Sequence, residues 1–149
     1  MTGRVDFYVL KTAAERERWL LACRLAEKAY LSDQRVLVLS ETRADAEALD
    51  DLLWTFDERS FVPHRLYREE SAASAAPVEI IAGAATTPPA DLLVNLASRP
   101  PVQLERYARI AEIVDADEER RRLGRERFKL YRDLKIPLET HQLDGNVSI

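Results

Sequence analysis

Arg35-Val36-Leu37-Val38-Leu39 is the stretch that decides the fold. After its first residue the run is apolar without alternation, which is the pattern of a strand buried on both faces. Ser40 and Thr42 follow as candidate N-caps, and Thr42-x-x-Asp45 resembles a capping box with a shortened acid. The spacing then predicts a helix from about Arg43 to Trp54 that buries Ala46, Leu49, Leu52 and Leu53. On the other side, Val5–Leu10 (VDFYVL) reads as a first strand. Between the two strands, Trp19, Cys23, Ala26 and Tyr30 recur at helical steps, with Glu15, Arg16, Glu17, Arg18, Arg24 and Lys28 on the remaining faces. Strand, helix, strand, helix implies parallel pairing through right-handed crossovers.

Further along, Val78–Ala82 (VEIIA) and Leu92–Leu96 (LLVNL) read as a third and a fourth strand. The Ser/Ala-rich stretch at 71–76 and Thr86-Thr87-Pro88-Pro89 read as loop and turn. Arg109–Val114 (RIAEIV) suits either the end of a helix begun at Val102 or a fifth strand. A long helix follows from about Glu118 to Leu134, with acids at its start and bases at its end to complement the dipole. Pro137 stops it. The expected fold class is therefore α/β: a Rossmann-like three-layer fold, a mostly parallel central sheet and a long C-terminal helix. One domain is expected over residues 1–137, and residues 138–149 read as a polar tail, frayed in part.

The chain has 149 residues, a 46 % hydrophobic fraction and a net charge of −4, so a uniformly basic nucleic-acid coat is excluded and any basic patch is local. One cysteine, Cys23, permits no internal disulfide and fits a reducing cytoplasm. Neither a signal peptide nor a membrane span is expected.

The fold pattern invites a nucleotide-dependent enzyme, but its phosphate-binding residues are missing. Lys11-Thr12-Ala13-Ala14-Glu15 stands where a glycine-rich loop would follow the first strand, and the chain has only four glycines. Cys23, His64 and His141 are not at metal-ligand spacing, and Cys23 falls on an apolar helix face. No catalytic constellation, metal or cofactor is expected.

The C-terminal helix carries the one strong patch. Eight bases (Arg120, Arg121, Arg122, Arg125, Arg127, Lys129, Arg132, Lys135) face four acids (Glu118, Glu119, Glu126, Asp133). At about 100° per residue, Arg121, Arg125, Lys129 and Arg132 fall within roughly 80° of one another, with Phe128 at the edge of the stripe. Leu123, Leu130 and Leu134 cluster on the opposite side and are expected to face the core. Such a stripe suits a ligand with a carboxylate and an apolar side chain. Charge runs on helices are more often a solvated face, here with pairs such as Arg122–Glu126. Gly124 inside the helix is unfavourable by about 1 kcal/mol relative to alanine, unless close packing requires it. Direct binding of nucleic acid through the helix is a third reading, weakened by the lack of interleaved aromatics beyond Phe128 and Tyr131.

Arg125-Glu126-Arg127-Phe128-Lys129-Leu130-Tyr131-Arg132 resembles the R-E-R-[FYW]-K-x-Y-R stretch of the chi subunit of bacterial DNA polymerase III. Val5–Leu10, Leu49–Phe56, Ser60–His64 and Pro77–Ile80 are similar to that family in the same order. The resemblance implies a strand at Arg109–Val114. It also implies an accessory, non-catalytic subunit of the clamp-loader assembly that binds the acidic C-terminal tail of single-stranded DNA-binding protein, ending in Asp, Pro and Phe. Carried onto this chain, the tail site uses Arg125, Phe128, Lys129 and Arg132, with Arg121 in the same stripe. Phe128 stands where family members often have tyrosine, so the ring is kept and the hydroxyl is not. Trp54 and Phe61 fall in the region that would serve a psi subunit or another clamp-loader component; core packing is the alternative for both.

Overall fold

A computed structural model describes residues 2–67, 76–83 and 87–143. Residues 71–75 of the small-residue stretch, Thr86 and residues 144–149 lie outside the described residues. The chain runs β1 (Arg4–Leu10), α1 (Glu15–Leu31), β2 (Val36–Ser40), α2 (Arg43–Thr55), β3 (His64–Leu66), β4 (Val78–Ala82), β5 (Ala90–Asn95), β6 (Tyr107–Val114), α3 (Glu118–Asp133) and β7 (Leu138–Leu143). The seven strands form one parallel sheet in the order β3-β4-β2-β5-β6-β1-β7.

Every residue of β2 is buried, as its unbroken apolar run requires. Its side chains divide with a period of two between the faces of the sheet. Val36 and Val38 join a core with Leu21, Leu25, Leu49 and Leu53 of α1 and α2. Leu37 and Leu39 join the opposite core with Phe7, Ile110 and Tyr131 of α3. Each fully buried leucine stabilises the fold by about 1.5–3 kcal/mol relative to an exposed one. Thr42 caps α2 by accepting a hydrogen bond from the Asp45 N–H at 3.1 Å. In α1, Cys23 and Ala26 are buried while Trp19 and Tyr30 pack at the edge of the same core.

Arg109–Val114 is strand, the outcome that the family resemblance implied. A 3-10 turn at Leu104–Arg106 precedes it, which explains why the segment also reads as a helix end. Two strands went unread. β3 is only three residues long, and His64-Arg65-Leu66 carries no alternation to mark it. The expected polar tail is corrected further: Leu138–Leu143 is the edge strand β7, paired with β1 from Val5↔Leu138 to Leu10↔Leu143. Lys135 adopts φ 62° after α3, and the Val5 N–H donates to the Pro137 carbonyl at 2.9 Å, which starts the ladder. Backbone pairing with β1, rather than apolar burial, holds this segment, so its polar composition resembles a tail.

The orientation of α3 is a second correction. Gly124, Arg127 and Tyr131 are its buried positions, whereas Leu130 and Leu134 are 39 % and 51 % exposed. The leucines yield because Glu112 is wholly buried on β6 and draws two polar groups of α3 inward. Arg127 Nε donates to Glu112 Oε1 at 2.9 Å, and the Tyr131 hydroxyl donates to Oε2 at 2.6 Å. Asn95 Nδ2 completes the set at 3.0 and 3.1 Å. Burial and the neighbouring Glu112 carboxylate push the Tyr131 hydroxyl pKa upward, so it stays a donor.

Candidate functional site

The rotation of α3 places its Arg121–Arg125–Phe128 flank against β1 and β7, with a cavity of about 260 Å3 between them. Strands supply Phe7 and Val9 from β1, Val114 from β6, and Thr140 and Gln142 from β7; α3 supplies Arg121, Gly124, Arg125 and Phe128. Gly124 is there because a Cβ at this position would lie 2.9 Å from Val114 Cγ2. Its absence brings the helix onto the strand. Phe128 meets Phe7 edge to face, with ring centroids 5.2 Å apart at 61°. The floor is thus apolar and aromatic, and the wall carries guanidinium groups.

These cations differ in what they already hold. Arg121 Nε donates to the Asp115 carbonyl at 3.1 Å, which fixes its stem. Arg122 is spent on Glu119 and Glu126, at 2.6 and 3.0 Å, the solvated pairing that the sequence allowed for this residue. Arg120 is clamped on the buried Asp115 at 2.7 and 2.9 Å, and Arg127 is buried on Glu112. Arg132 lies 3.7 Å from Asp133, both exposed. Arg125, Lys129 and Lys135 form no ion pair among the described residues, and of these three Arg125 is the one that lines the cavity.

The structure therefore brings three expected residues, Arg121, Arg125 and Phe128, to one cavity. Lys129 and Arg132 are exposed on the same helix but do not line it. Thr140 and Gln142 were missed because their strand reads as a tail; Leu138-Glu139-Thr140-His141-Gln142-Leu143 carries no alternation of apolar and polar residues that would mark it. Phe7, Val9 and Val114 are invisible as site residues in any strand pattern.

Trp54 and Phe61 lie apart from this cavity, on the α2 side. They are 51 % and 70 % exposed, with ring centroids 5.7 Å apart. His64 lies under Trp54 at 4.3 Å and is held by the carbonyls of Val62 and Asp50 at 2.6 and 2.9 Å. Core packing therefore does not account for Phe61 or for much of Trp54. Cys23 is buried, and burial pushes its thiol pKa up to about 12, so it is no nucleophile at neutral pH. Asp6, Glu139 and His141 bring one potential metal-ligand atom each within 4.8 Å of one another. Asp6 already lies 3.1 Å from Arg4 and 3.3 Å from Arg109, with His141 Nε2 at 3.0 Å, so its charge is met by two arginines of the chain itself.

These features define a parallel α/β domain with a cationic, aromatic-floored cleft beside its last helix. Residues 1–139 match the family described as the DNA polymerase III chi subunit, HolC, and the chain belongs to that family. The DNA polymerase III subunit chi of Pseudomonas aeruginosa PAO1 is 36 % identical over 140 residues, covering 94 % of this chain and 96 % of that one. The subunit of the same name in Escherichia coli K12 is 31 % identical over 121 residues, covering 80 % and 82 %. Among solved structures, T4 UvsW is similar with a TM-score of 0.67 at 12 % identity, over 96 % of this chain and 42 % of that one. The C-terminal domain of the DEAD-box protein Dbp5 is similar with a TM-score of 0.62 at 10 % identity, over 93 % and 90 %. At such identities these two establish a shared fold and nothing more.

Proposed function

We propose that this chain is a replication adaptor that links the DNA polymerase III clamp-loader assembly to single-stranded DNA-binding protein, by receiving the acidic C-terminal tail of that protein in the cleft between α3 and β7. The observation that carries the reading is the juxtaposition of unpaired Arg125 with the Phe128–Phe7 floor. A terminal phenylalanine presents a ring and an α-carboxylate on one residue, and the cleft offers an apolar floor and a guanidinium in one cavity. Lys129 and Arg132, exposed beyond the cleft, attract the aspartates that precede the terminal residue and raise the association rate. Attachment is weak at each tail and gains through avidity, since a second tether multiplies the first.

The exposed pair Trp54 and Phe61 supports a second surface, for a psi subunit or another clamp-loader component. Aromatic residues at such exposure are the usual anchors of a protein interface.

A peptide titration tests the tail site. A peptide ending in Asp-Pro-Phe with a free carboxylate should bind in a salt-dependent manner. Amidating its terminus, or Arg125→Glu, should weaken it by about 10- to 100-fold, the equivalent of one lost charge-assisted hydrogen bond at about 1.5–3 kcal/mol. Lys129→Glu should act mainly on the association rate. Unchanged affinity on both amidation and Arg125→Glu sinks the assignment, and tight binding of bare single-stranded DNA favours direct nucleic-acid recognition instead.

A further inference from the structure

On the other flank of α3 a second cavity, of about 220 Å3, opens over the carboxyl ends of β2, β5 and β6; Arg18, Trp19, Glu41, Asp45, Ala97 and Arg127 are among its walls. Its place follows from the topology. After β2 the chain turns through α2 towards β3, and after β5 it turns the opposite way to β6, yet β2 and β5 are neighbours. The crevice outside two such strands is where open parallel sheets hold their ligands.

Arg18 is the anomaly in this crevice. It sits on α1, among residues whose pattern reads as solvent-facing, yet its side chain is only 7 % exposed. One terminal nitrogen donates to the Leu96 carbonyl at 2.8 Å, and the other stands 4.0 Å from Glu15. Its Nε is buried with no hydrogen-bond partner among the described residues. A buried donor without an acceptor is destabilising by about 1–3 kcal/mol, more for a charged group, so native structures rarely keep one. Its neighbours do not relieve it. Burial lowers the pKa of Arg18 and the charge of Arg120 lowers it again, against Asp115 and Glu15, while Arg127 adds to the lowering. Arg120 and Arg127 each have a carboxylate within 2.9 Å, whereas the nearest ion-pair partner of Arg18 is Glu15 at 4.0 Å.

The wall opposite is acidic. Glu41 accepts from the Ser98 N–H and hydroxyl at 2.5 and 2.9 Å, and Asp45 stands in the first turn of α2. Ionised carboxylates only accept hydrogen bonds. A ligand that spans the crevice must therefore offer an acceptor to Arg18 and a donor to the carboxylates. Hydrogen phosphate has both on one compact ion. Sulfate has no proton to donate at neutral pH, and a phosphate monoester loses its last one above a pKa of about 6. At about 30 Å3 per water molecule the cavity has room for such an ion with some hydration. We propose that the Arg18 crevice is a binding site for inorganic phosphate, selective for the protonated ion over sulfate and over phosphate monoesters. The proposal is independent of the tail site, which occupies the opposite flank of α3.

The experiment uses the full chain with Trp54→Phe, which leaves Trp19 in the cavity wall as the single tryptophan. Inorganic phosphate is titrated at constant ionic strength against chloride, reading Trp19 fluorescence and thermal unfolding. A saturable fluorescence change with a rise in Tm is expected. Arg18→Met, and Ala97→Leu, which fills the cavity while leaving the arginine in place, should each reduce the apparent affinity tenfold or more. If Arg18→Met does not fold, Ala97→Leu carries the test alone. No saturable response to phosphate, an equal response to sulfate or to a nucleoside monophosphate, or an undiminished response in Ala97→Leu overturns the proposal.

Discussion

Gly124→Ala should destabilise this protein although it replaces a glycine in mid-helix. Propensity alone favours alanine there by about 1 kcal/mol. The new Cβ, however, would stand 2.9 Å from Val114 Cγ2 and 3.3 Å from Cγ1. Val114 is buried on β6 and its β-branched side chain is stiff at χ1, so the methyls cannot swing aside. The helix must lift instead, and overpacking of this kind costs about 1–3 kcal/mol. The balance is a net loss of about 1 kcal/mol, seen as a Tm lower by about 2–4 °C for a chain of this size. With Val114→Ala the obstructing methyls are gone, so the same Gly124→Ala change should become stabilising by up to about 1 kcal/mol relative to Val114→Ala alone. Equilibrium urea unfolding of the four proteins closes a double-mutant cycle. A gain of about 1 kcal/mol from Gly124→Ala in the wild-type background, or an equal effect in both backgrounds, refutes the close-approach account of this glycine. Both residues line the cleft beside α3, so on the proposed reading the single variant should also bind the acidic peptide less well.

The buried ion pair and the Asp115 clamp give two further expectations. Arg127→Met leaves Glu112 buried without its cation and should cost about 3–5 kcal/mol, whereas Arg127→Met with Glu112→Leu should recover a large part of that loss; urea unfolding that finds the single variant within about 1 kcal/mol of wild type would argue that Glu112 is neutral or solvated. Burial raises the pKa of Asp115, but the hydrogen bonds from Arg120 and the Asp117 N–H, with the charges of Arg120 and Arg18, outweigh it and leave the carboxyl below its ordinary 3.8. A carboxyl depressed in the folded state contributes stability that is present above about pH 4 and is lost as pH falls through the lowered value. Asp115→Asn should therefore be less stable at neutral pH and show a shallower acid limb, which thermal unfolding between pH 2 and 5 measures; an unchanged limb removes Asp115 from the account.

The parts legible in the sequence were those where one physical rule governs a whole segment. Val36–Leu39 reads correctly because burial on both faces leaves only apolar residues, and Thr42 reads correctly as the N-cap of α2 because capping chemistry is local. The position of Arg121, Arg125 and Phe128 on one flank of α3 also follows from periodicity. The failures share a cause in non-local pairing. Leu123, Leu130 and Leu134 form the obvious apolar stripe, yet a carboxylate on β6 selects Arg127 and Tyr131 for burial, and a helix pattern carries no trace of Glu112. β7 is likewise polar because its partner is the β1 backbone. Arg18 reads as solvated because arginine usually is, and only the fold places it beneath a crevice.

The misread edge strand also explains how the cleft beside α3 is held together. One face of β7 presents Thr140 and Gln142 to the cleft, yet the strand has little apolar surface with which to anchor itself. Its ends use Leu138 and Leu143, which join opposite cores. Between them the anchoring lies on the reverse face: His141 Nε2 lies within hydrogen-bond distance of the buried Asp6 carboxylate at 3.0 Å and its ring stacks on Tyr8 at 4.8 Å, while Glu139 lies 3.6 Å from Arg4. Thr140 pairs with Phe7 and His141 with Tyr8 in the same ladder, so the cleft wall and its anchor are successive residues pointing in opposite directions. A sheet register slip of one residue would exchange them. Asp6, behind the cleft, thus helps to hold the strand that forms its wall. A substitution at Asp6 would be felt at Thr140 and Gln142 although it touches neither.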